Sequence, residues 1–204
     1  MNPAQSKVLI IGGTIELADY GLVSYAGGII RVSQTSLFKN CNTGIQIASY
    51  TSATNPKYNA SYIMDTEFKW LITPDRAPIG IELDNVAGIN IGGCKFWNND
   101  PNLYDFVERG IGIKATNADM NVSSGGNTWC INPETCLDNC DGSNPGAGNE
   151  FKHLSWGIKF VGGSTNNHLA VRASIFDNCL YGIDVTSGIS ASIAKNTFTG
   201  SVSV

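Results

Sequence analysis

The chain has few charged residues, and it has no long apolar run. Only 15% of its 204 residues are charged, and the formal net charge at pH 7 is -4. A surface that binds nucleic-acid phosphates needs clustered Lys and Arg, which this sequence does not provide, so we expect no nucleic-acid partner. No apolar run approaches the ~20 residues that a membrane-spanning helix needs, so we also expect no membrane span.

The common catalytic motifs are missing as well. The sequence contains no phosphate-binding loop, no dinucleotide fingerprint and no nucleophile motif. Its two histidines, His153 and His168, fall in different parts of the repeat described below. Because His153 stands where Asn40 and Asn178 stand in other copies, we interpret it as a residue that lines a turn rather than as a catalytic group.

Cysteine is present but defines neither a metal site nor a redox site. Cys41 and Cys179 each follow a recurring Phe by three residues, and Cys94 precedes another Phe by two, so we expect all three to be packing residues. The other three lie in one segment rich in Asn, Pro and Gly: Cys130, Cys136 and Cys140. Two of these could form a disulfide in an exported protein, and their spacing matches no strong zinc pattern, so we expect no metal.

What the sequence does contain is an internal repeat, which decides the fold. An apolar residue is followed six positions later by Gly-Ile or Gly-Leu at four places: Ile15 to Gly21, Phe38 to Gly44, Phe151 to Gly157 and Phe176 to Gly182. Two further copies have extra residues between the same two ends: Phe68 to Gly80 and Phe96 to Gly112. Each copy predicts three short strands. The first begins at Gly-Ile, the second is an apolar-x-apolar run, and the third ends at the Phe. Strands this short bury one face only when successive copies stack.

In these features the chain resembles the right-handed parallel β-helices of the pectin-lyase-like family. The resemblance rests on the recurring Phe, on the Gly-Ile strand starts, and on polar residues two positions before the aromatic: Ser36, Thr66, Asn127, Asn149, Ser174 and Asn196. Members often carry an asparagine ladder at this turn, and here the ladder is partial. The resemblance implies an all-β fold, a right-handed parallel β-helix of about seven to eight coils, with residues 1–204 as one domain.

Both ends of the sequence look like the interior of such a solenoid. The first strand is predicted to begin near Val8, and the chain stops at SVSV, with no polar cap at either end. Uncapped strand edges invite association with other chains. We therefore expect a piece of a longer, exported protein, with flanking domains, outside the cell or at its surface.

Insertions interrupt the repeat at several points. Extra residues precede Gly80, Gly112 and Gly157, and we expect all three insertions to enter the same turn and to lie together on one side of the solenoid. Two interpretations stay open for residues 130–148, a degenerate coil or a surface loop. We favour the loop because the alternation of apolar residues is lost there.

Alternation after each Gly-Ile places one column of side chains on the outside of these strands, and we call it the outer column: Val23, Gln46, Glu82, Lys114, Lys159 and Asp184. Glu82 would lie beside Lys114, and Lys159 near Asp184. Such cross-strand pairs contribute roughly 0.2–1 kcal/mol each and keep a flat face soluble, which is the simplest interpretation of the column.

A second interpretation makes this surface a binding site. In the family that the chain resembles, polysaccharides commonly bind in the groove along these strands, so the resemblance implies a polysaccharide or cell-surface glycan as partner. The predicted binding residues come from the outer column and from the insertion beside it: Glu82, Lys114, Lys159, Asp184, Trp97, Tyr104 and Arg109. We expect a structural or carbohydrate-facing binding module of a larger secreted or cell-surface protein, without catalysis and without a cofactor.

Catalysis is the alternative. Glu82 and Asp84 lie two residues apart and face the same way, so they could serve as general acid and base on a glycosidic bond. They could instead hold Ca²⁺ while Lys114 or Arg109 removes a proton. The chain would then be a glycoside hydrolase or a polysaccharide lyase, the latter with Ca²⁺ as cofactor and Glu82, Asp84 and Lys114 as catalytic residues.

Overall fold

The computed structural model describes residues 7–25, 28–50, 61–72, 76–99, 108–124, 148–162, 167–186 and 189–200. Within these ranges the chain forms twenty β-strands and no α-helix. No helix of the described residues could therefore cross a membrane.

The strands form three parallel sheets. The first sheet contains β1 (Lys7–Ile11), β4 (Ile29–Ser33), β7 (Tyr62–Met64), β10 (Ile89–Gly92), β13 (Met120–Ser123), β16 (His168–Arg172) and β19 (Ser190–Ala194). The second contains β2 (Thr14–Glu16), β5 (Leu37–Lys39), β8 (Glu67–Trp70), β11 (Lys95–Asn98), β14 (Glu150–Lys152), β17 (Ile175–Asp177) and β20 (Thr197–Thr199). The third contains β3 (Tyr20–Tyr25), β6 (Thr43–Tyr50), β9 (Ile79–Val86), β12 (Ile111–Thr116), β15 (Trp156–Val161) and β18 (Tyr181–Thr186).

The chain visits the three sheets in the same order in every coil. Each strand pairs in parallel with the strand three places before it and the strand three places after it, so β2 pairs with β5 and β5 with β8. The result is a right-handed parallel β-helix of seven coils, the last of which contributes β19 and β20. The predicted fold class is confirmed.

A stack of phenylalanine rings fills one side of the interior. Its members come from successive strands of the second sheet: Phe38, Phe68, Phe96, Phe151, Phe176 and Phe198. Neighbouring ring centroids are 4.8–5.2 Å apart, with interplanar angles of 2–11°. The separation matches the spacing of hydrogen-bonded strands, because each coil supplies one ring at the same height on its strand.

The Gly-Ile motif follows from this stack. A Cβ atom on Gly44 would lie 2.6 Å from Cδ1 of Phe68 in the next coil and 2.7 Å from the carbonyl oxygen of Gly80. The corresponding glycines of the other coils, such as Gly112, meet the same two obstacles. Glycine is therefore needed where the ring of the next coil packs against the backbone, and this requirement explains why the six-residue spacing recurs.

Short turns join the second sheet to the third where no insertion intervenes. One residue with a left-handed backbone follows the second-sheet strand in each such turn: Leu17 (φ 57°), Asn40 (φ 52°), His153 (φ 54°) and Asn178 (φ 51°). Asn tolerates this conformation better than most residues. His153 thus occupies the turn position that its alignment with Asn40 and Asn178 predicts.

Asparagine links successive coils at the turn between the first and second sheets. Oδ1 of Asn149 accepts a hydrogen bond from the Cys94 amide (3.0 Å), and Nδ2 of Asn149 donates to the Ser123 carbonyl (2.6 Å). Two coils further along, Oδ1 of Asn196 accepts a hydrogen bond from the Ser174 amide (2.9 Å), and its Nδ2 donates to the Val171 carbonyl (3.0 Å). The hydroxyl of Ser36 instead donates within its own coil. The asparagine ladder is therefore partial, as predicted, and Asn127 lies outside the described residues.

The prediction that all three insertions enter one turn is wrong. The extra residues before Gly80 and Gly112 follow β8 and β11, in the turn from the second sheet to the third. The third insertion separates β13 from β14, in the turn from the first sheet to the second. The physical reason is the strand register. Phe151 pairs with Phe96 and continues the ring stack, and β13 pairs with β16 of the next coil. Strands β13 and β14 therefore belong to one coil, and the third insertion separates them. Of these three insertions, only the two before Gly80 and Gly112 therefore connect the second sheet to the third.

The same pairing decides between the two interpretations of residues 130–148. Strand β11 pairs directly with β14, and β12 pairs directly with β15. No further coil can lie between these neighbours, so the degenerate coil is excluded. Most of the segment, including Cys130, Cys136 and Cys140, lies outside the described residues.

Three buried cysteines contribute to the core, as predicted. Cys41, Cys94 and Cys179 are free thiols with exposed fractions of 1% or less. Burial raises the pKa of Cys94 to about 12 and that of Cys179 to about 11, and it raises the pKa of Cys41 as well. A thiol that is rarely ionised is a poor nucleophile and metal ligand, so these groups act as apolar packing residues.

These raised thiol pKa values predict a loss of stability at alkaline pH. In the unfolded chain a thiol ionises near its ordinary pKa of about 8.5, so above that pH the unfolded state binds fewer protons than the folded state. The free energy of unfolding should fall as the pH rises from about 9 to 11, by roughly 2 kcal/mol at pH 10 for each of Cys94 and Cys179. Urea titrations at pH 8 and pH 10 measure this fall. The Cys94→Ala, Cys179→Ala double variant should lose most of it, and an unchanged pH dependence in that variant would contradict the assignment.

Candidate functional site

The outer column lies where the alternation predicts. Successive strands of the third sheet place its six members opposite one another: Val23, Gln46, Glu82, Lys114, Lys159 and Asp184. In the middle coils the residues on either side of a member are buried in the core, as Ile81 and Leu83 are beside Glu82. The column therefore runs along the helix axis on the outside of the third sheet.

A hydrogen-bonded network connects four coils on this face. Oε2 of Glu82 accepts from Nε2 of Gln46 (2.8 Å), and Oε1 of Glu82 accepts from Nζ of Lys114 (2.9 Å). Oε1 of Gln46 in turn accepts from the hydroxyl of Tyr25 (2.9 Å). The Glu82 and Lys114 side chains are only 19% and 37% exposed. The network holds these polar groups in set positions, with one edge open to solvent.

Lys159 takes a different partner from the one that its column position suggests. It lies opposite Asp184 in the register, but its ammonium nitrogen lies over the ring of Trp156, 4.2 Å from the centroid. Across the described ranges, no ion pair forms between Lys159 and Asp184. Trp156 stacks on Tyr181 of the next coil, with centroids 5.5 Å apart and an interplanar angle of 15°.

Aromatic side chains next to the outer column were missed by the sequence reasoning. A parallel column, which we call the aromatic column, contains Tyr20 at one end and Trp156 and Tyr181 at the other, with Thr43, Ile79 and Ile111 between them. The guanidinium of Arg76 lies over the Tyr20 ring, 5.5 Å from its centroid. A signal was available, because each of these aromatics directly precedes the strand glycine.

The residues predicted from the neighbouring insertion do not all reach this face. Trp97 lies on β11 in the second sheet, where its ring is surrounded by lysines of that sheet. Arg109 lies in the turn before β12, and its carbonyl oxygen accepts a hydrogen bond from Nδ2 of Asn98 (2.8 Å). Tyr104 lies outside the described residues. The structure therefore groups Glu82, Lys114, Lys159 and Asp184 but separates Trp97 from them.

The two carboxylates of the catalytic hypothesis share the outer face of β9. Asp84 is exposed, lies opposite Thr116, and accepts a hydrogen bond from Nδ2 of Asn85 (2.9 Å). Both oxygens of Glu82 already accept hydrogen bonds from neighbouring coils. Among the described residues, no three His, Cys, Asp or Glu side chains are grouped so that they could hold a metal ion.

Comparisons of the chain with protein-family models, with curated proteins and with solved structures found no match. What the surface does must therefore be argued from its chemistry.

Proposed function

We propose that this chain is a carbohydrate-facing binding module of a larger secreted or cell-surface protein, built on a β-helix of the pectin-lyase-like type. The observation that carries the proposal is the outside of the third sheet, where a network of polar side chains runs beside the aromatic column. Hydrogen bonds hold the side chains of Gln46, Glu82 and Lys114. In the two coils that follow Lys114, the ring of Trp156 stacks on the ring of Tyr181.

This combination suits a sugar polymer. A sugar ring presents apolar C–H groups on its faces and hydroxyl groups at its edge, so it binds best where aromatic rings and hydrogen-bonding side chains lie together. Amide, carboxylate and ammonium groups on one face supply both donors and acceptors. Because the coils repeat every ~4.8 Å along the axis, these groups form a straight line, along which a linear polymer can lie.

The first test measures how the aromatic column affects glycan binding. Trp156→Ala and Tyr181→Ala should each weaken binding to a positive polysaccharide from a glycan array by about tenfold, because each variant removes one stacking surface. Affinity is measured by isothermal titration calorimetry on the full chain. Tyr62→Ala is the matched control, since Tyr62 is an aromatic residue on the outer side of the first sheet.

Two outcomes would contradict the proposal. One is the absence of binding to any neutral or acidic polysaccharide on the array. The other is an equal loss of affinity in Tyr62→Ala and Trp156→Ala, which would mean that the bound glycan does not use the third sheet. Urea midpoints of all variants check that each of them folds.

The enzyme alternative uses the same face, because Glu82 and Asp84 point outward from β9. It predicts depolymerisation of acidic polysaccharides, which is followed by the absorbance of unsaturated products and by reducing ends, with and without Ca²⁺. Turnover that falls at least about 100-fold in Glu82→Gln would establish a lyase or a hydrolase. We expect no turnover. We also expect Glu82→Gln to change the free energy of unfolding by less than about 1 kcal/mol, since the Lys114 pair is partly exposed.

A further inference from the structure

A cluster of lysines surrounds one tryptophan on the outside of the second sheet, far from the outer column in the fold. Trp97 lies opposite Lys69 and Lys152 on the two neighbouring strands, and Lys95 precedes it by two residues on its own strand. The ammonium nitrogens lie 5.9 Å (Lys69), 5.2 Å (Lys95) and 5.3 Å (Lys152) from the centroid of the Trp97 ring. We call these four residues the Trp97 cluster.

The charges in this cluster are only partly compensated. Lys152 pairs with Glu150 at 2.6 Å. Lys95 lies opposite both Glu67 and Glu150 in the register, yet its ammonium group approaches the Trp97 ring. Within the part of the chain that the structure describes, neither Lys69 nor Lys95 has a carboxylate within ion-pair distance. Two cations therefore converge on one ring without a counter-ion.

The indole nitrogen of Trp97 points to the same conclusion. Nε1 of Trp97 is buried, and it has no hydrogen-bond acceptor among the described residues. Buried indole N–H groups normally find an acceptor, because leaving a buried donor unpaired costs free energy. Donors thus outnumber acceptors at this point, and an added group with several oxygen acceptors would correct the imbalance.

We propose that the Trp97 cluster binds a carboxylate or sulfate group of an acidic polysaccharide. Such an oxyanion would accept hydrogen bonds from the Lys69 and Lys95 ammonium groups that lie near the Trp97 ring. The site lies on a different sheet from the surface assigned to sugar binding above, so it stands whether or not that assignment holds.

The arrangement of the neighbouring cations favours a linear polymer. Lys39, Lys69, Trp97 and Lys152 occupy the same position on four successive strands of the second sheet. Because neighbouring strands are ~4.8 Å apart, the cations form a line along the helix axis. A polysaccharide chain with regularly spaced anionic groups fits such a line.

Nucleic acid fits this surface less well. Its backbone carries a phosphate at every nucleotide, and a protein that binds it needs a continuous basic surface. Here Glu67 and Glu150 lie beside Lys95, in the column next to the tryptophan, and the chain as a whole has a net charge of -4. An acidic glycan carries hydroxyl groups beside its anionic groups, so it can place the anions at the lysines and the hydroxyl groups at the glutamates.

The experiment titrates the full chain with oligogalacturonate and with dextran sulfate of matched length, and follows tryptophan emission. The Lys69→Gln, Lys95→Gln double variant should weaken binding of at least one polymer about tenfold, since it removes both unpaired ammonium groups. Glu67→Gln should strengthen binding of the same polymer about threefold, because it removes a competing carboxylate. Which polymer binds identifies the anion as carboxylate or sulfate. The emission change should be absent in Trp97→Phe.

The matched control is Lys7→Gln, which removes an exposed lysine from the first sheet, outside both proposed binding surfaces, and should leave this affinity unchanged. A loss of affinity in Lys114→Gln, with none in the double variant, would overturn the proposal by moving the ligand to the third sheet. If the protein binds inorganic sulfate as tightly as it binds the polymers, the ligand is a free ion and the polysaccharide assignment is overturned. If single-stranded DNA binds as tightly as the tighter-binding polysaccharide, the ligand is a nucleic acid and the polysaccharide assignment is likewise overturned.

Discussion

Replacing Phe96 with alanine is expected to lower the free energy of unfolding by about 5 kcal/mol. Its ring is fully buried at the middle of the stack, and truncating a buried Phe to Ala costs roughly 3–5 kcal/mol. It also stacks on Phe68 and on Phe151, both at 4.8 Å, and each such contact is worth about 0.5–1.5 kcal/mol beyond the area buried. The loss should therefore be near the upper end for a single core substitution.

Urea unfolding followed by far-UV circular dichroism measures this loss. The control is Phe198→Ala, at the end of the stack, where the ring is partly exposed and has a described neighbour on one side only, Phe176 at 5.0 Å. Its loss should be less than half that of Phe96→Ala. Equal losses at the two positions would show that the stack does not stabilise the fold as a continuous unit.

Replacing Gly112 with alanine is expected to cost about 3 kcal/mol or more, although it adds only one methyl group. That Cβ would lie 2.6 Å from the carbonyl oxygen of Gly157 and 2.6 Å from Cδ1 of Phe151. Real Cβ atoms essentially never approach other atoms so closely. Because one obstacle is backbone and the other is a ring packed on both sides, neither can move without disturbing the next coil.

Thermal unfolding and urea titration of Gly112→Ala provide the measurement. Thr116→Ala on the same strand is the control, since Thr116 lies on the outer side of the third sheet and its truncation should change stability by no more than about 0.5 kcal/mol. A Gly112→Ala variant as stable as the parent would show that the ring and the glycine do not meet as described.

Much of the fold could be predicted because its signals are local and repeated. The six-residue step recurs because the ring of one coil packs against the strand glycine of the coil before it, a contact made at Gly21, Gly44, Gly80, Gly112 and Gly157. Period-two alternation then determines which residues face outward, so the outer column from Gln46 to Asp184 was predicted residue by residue. Each of these features depends only on neighbours along the chain or in the adjacent coil.

The rest depends on choices that alternation does not encode. Lys159 lies between Lys114 and Asp184 in the register, but its side chain turns to the Trp156 ring instead, a rotamer preference that no spacing reveals. Trp97 was assigned to the wrong neighbourhood because its insertion was treated as one unit, whereas the ring belongs to the strand that precedes the insertion. The third insertion was misplaced because it was counted from Gly157, whereas the uninterrupted six-residue step from Phe151 to Gly157 puts the extra residues before the Phe.

A rod in which every coil meets only the coil on either side has a distinctive folding behaviour. Its stability is close to a sum of nearest-neighbour couplings, so folding can nucleate at any adjacent pair of coils and propagate in both directions. A substitution in the middle of the Phe stack, such as Phe96→Ala, therefore weakens two couplings at once, whereas a substitution at either end weakens a single coupling.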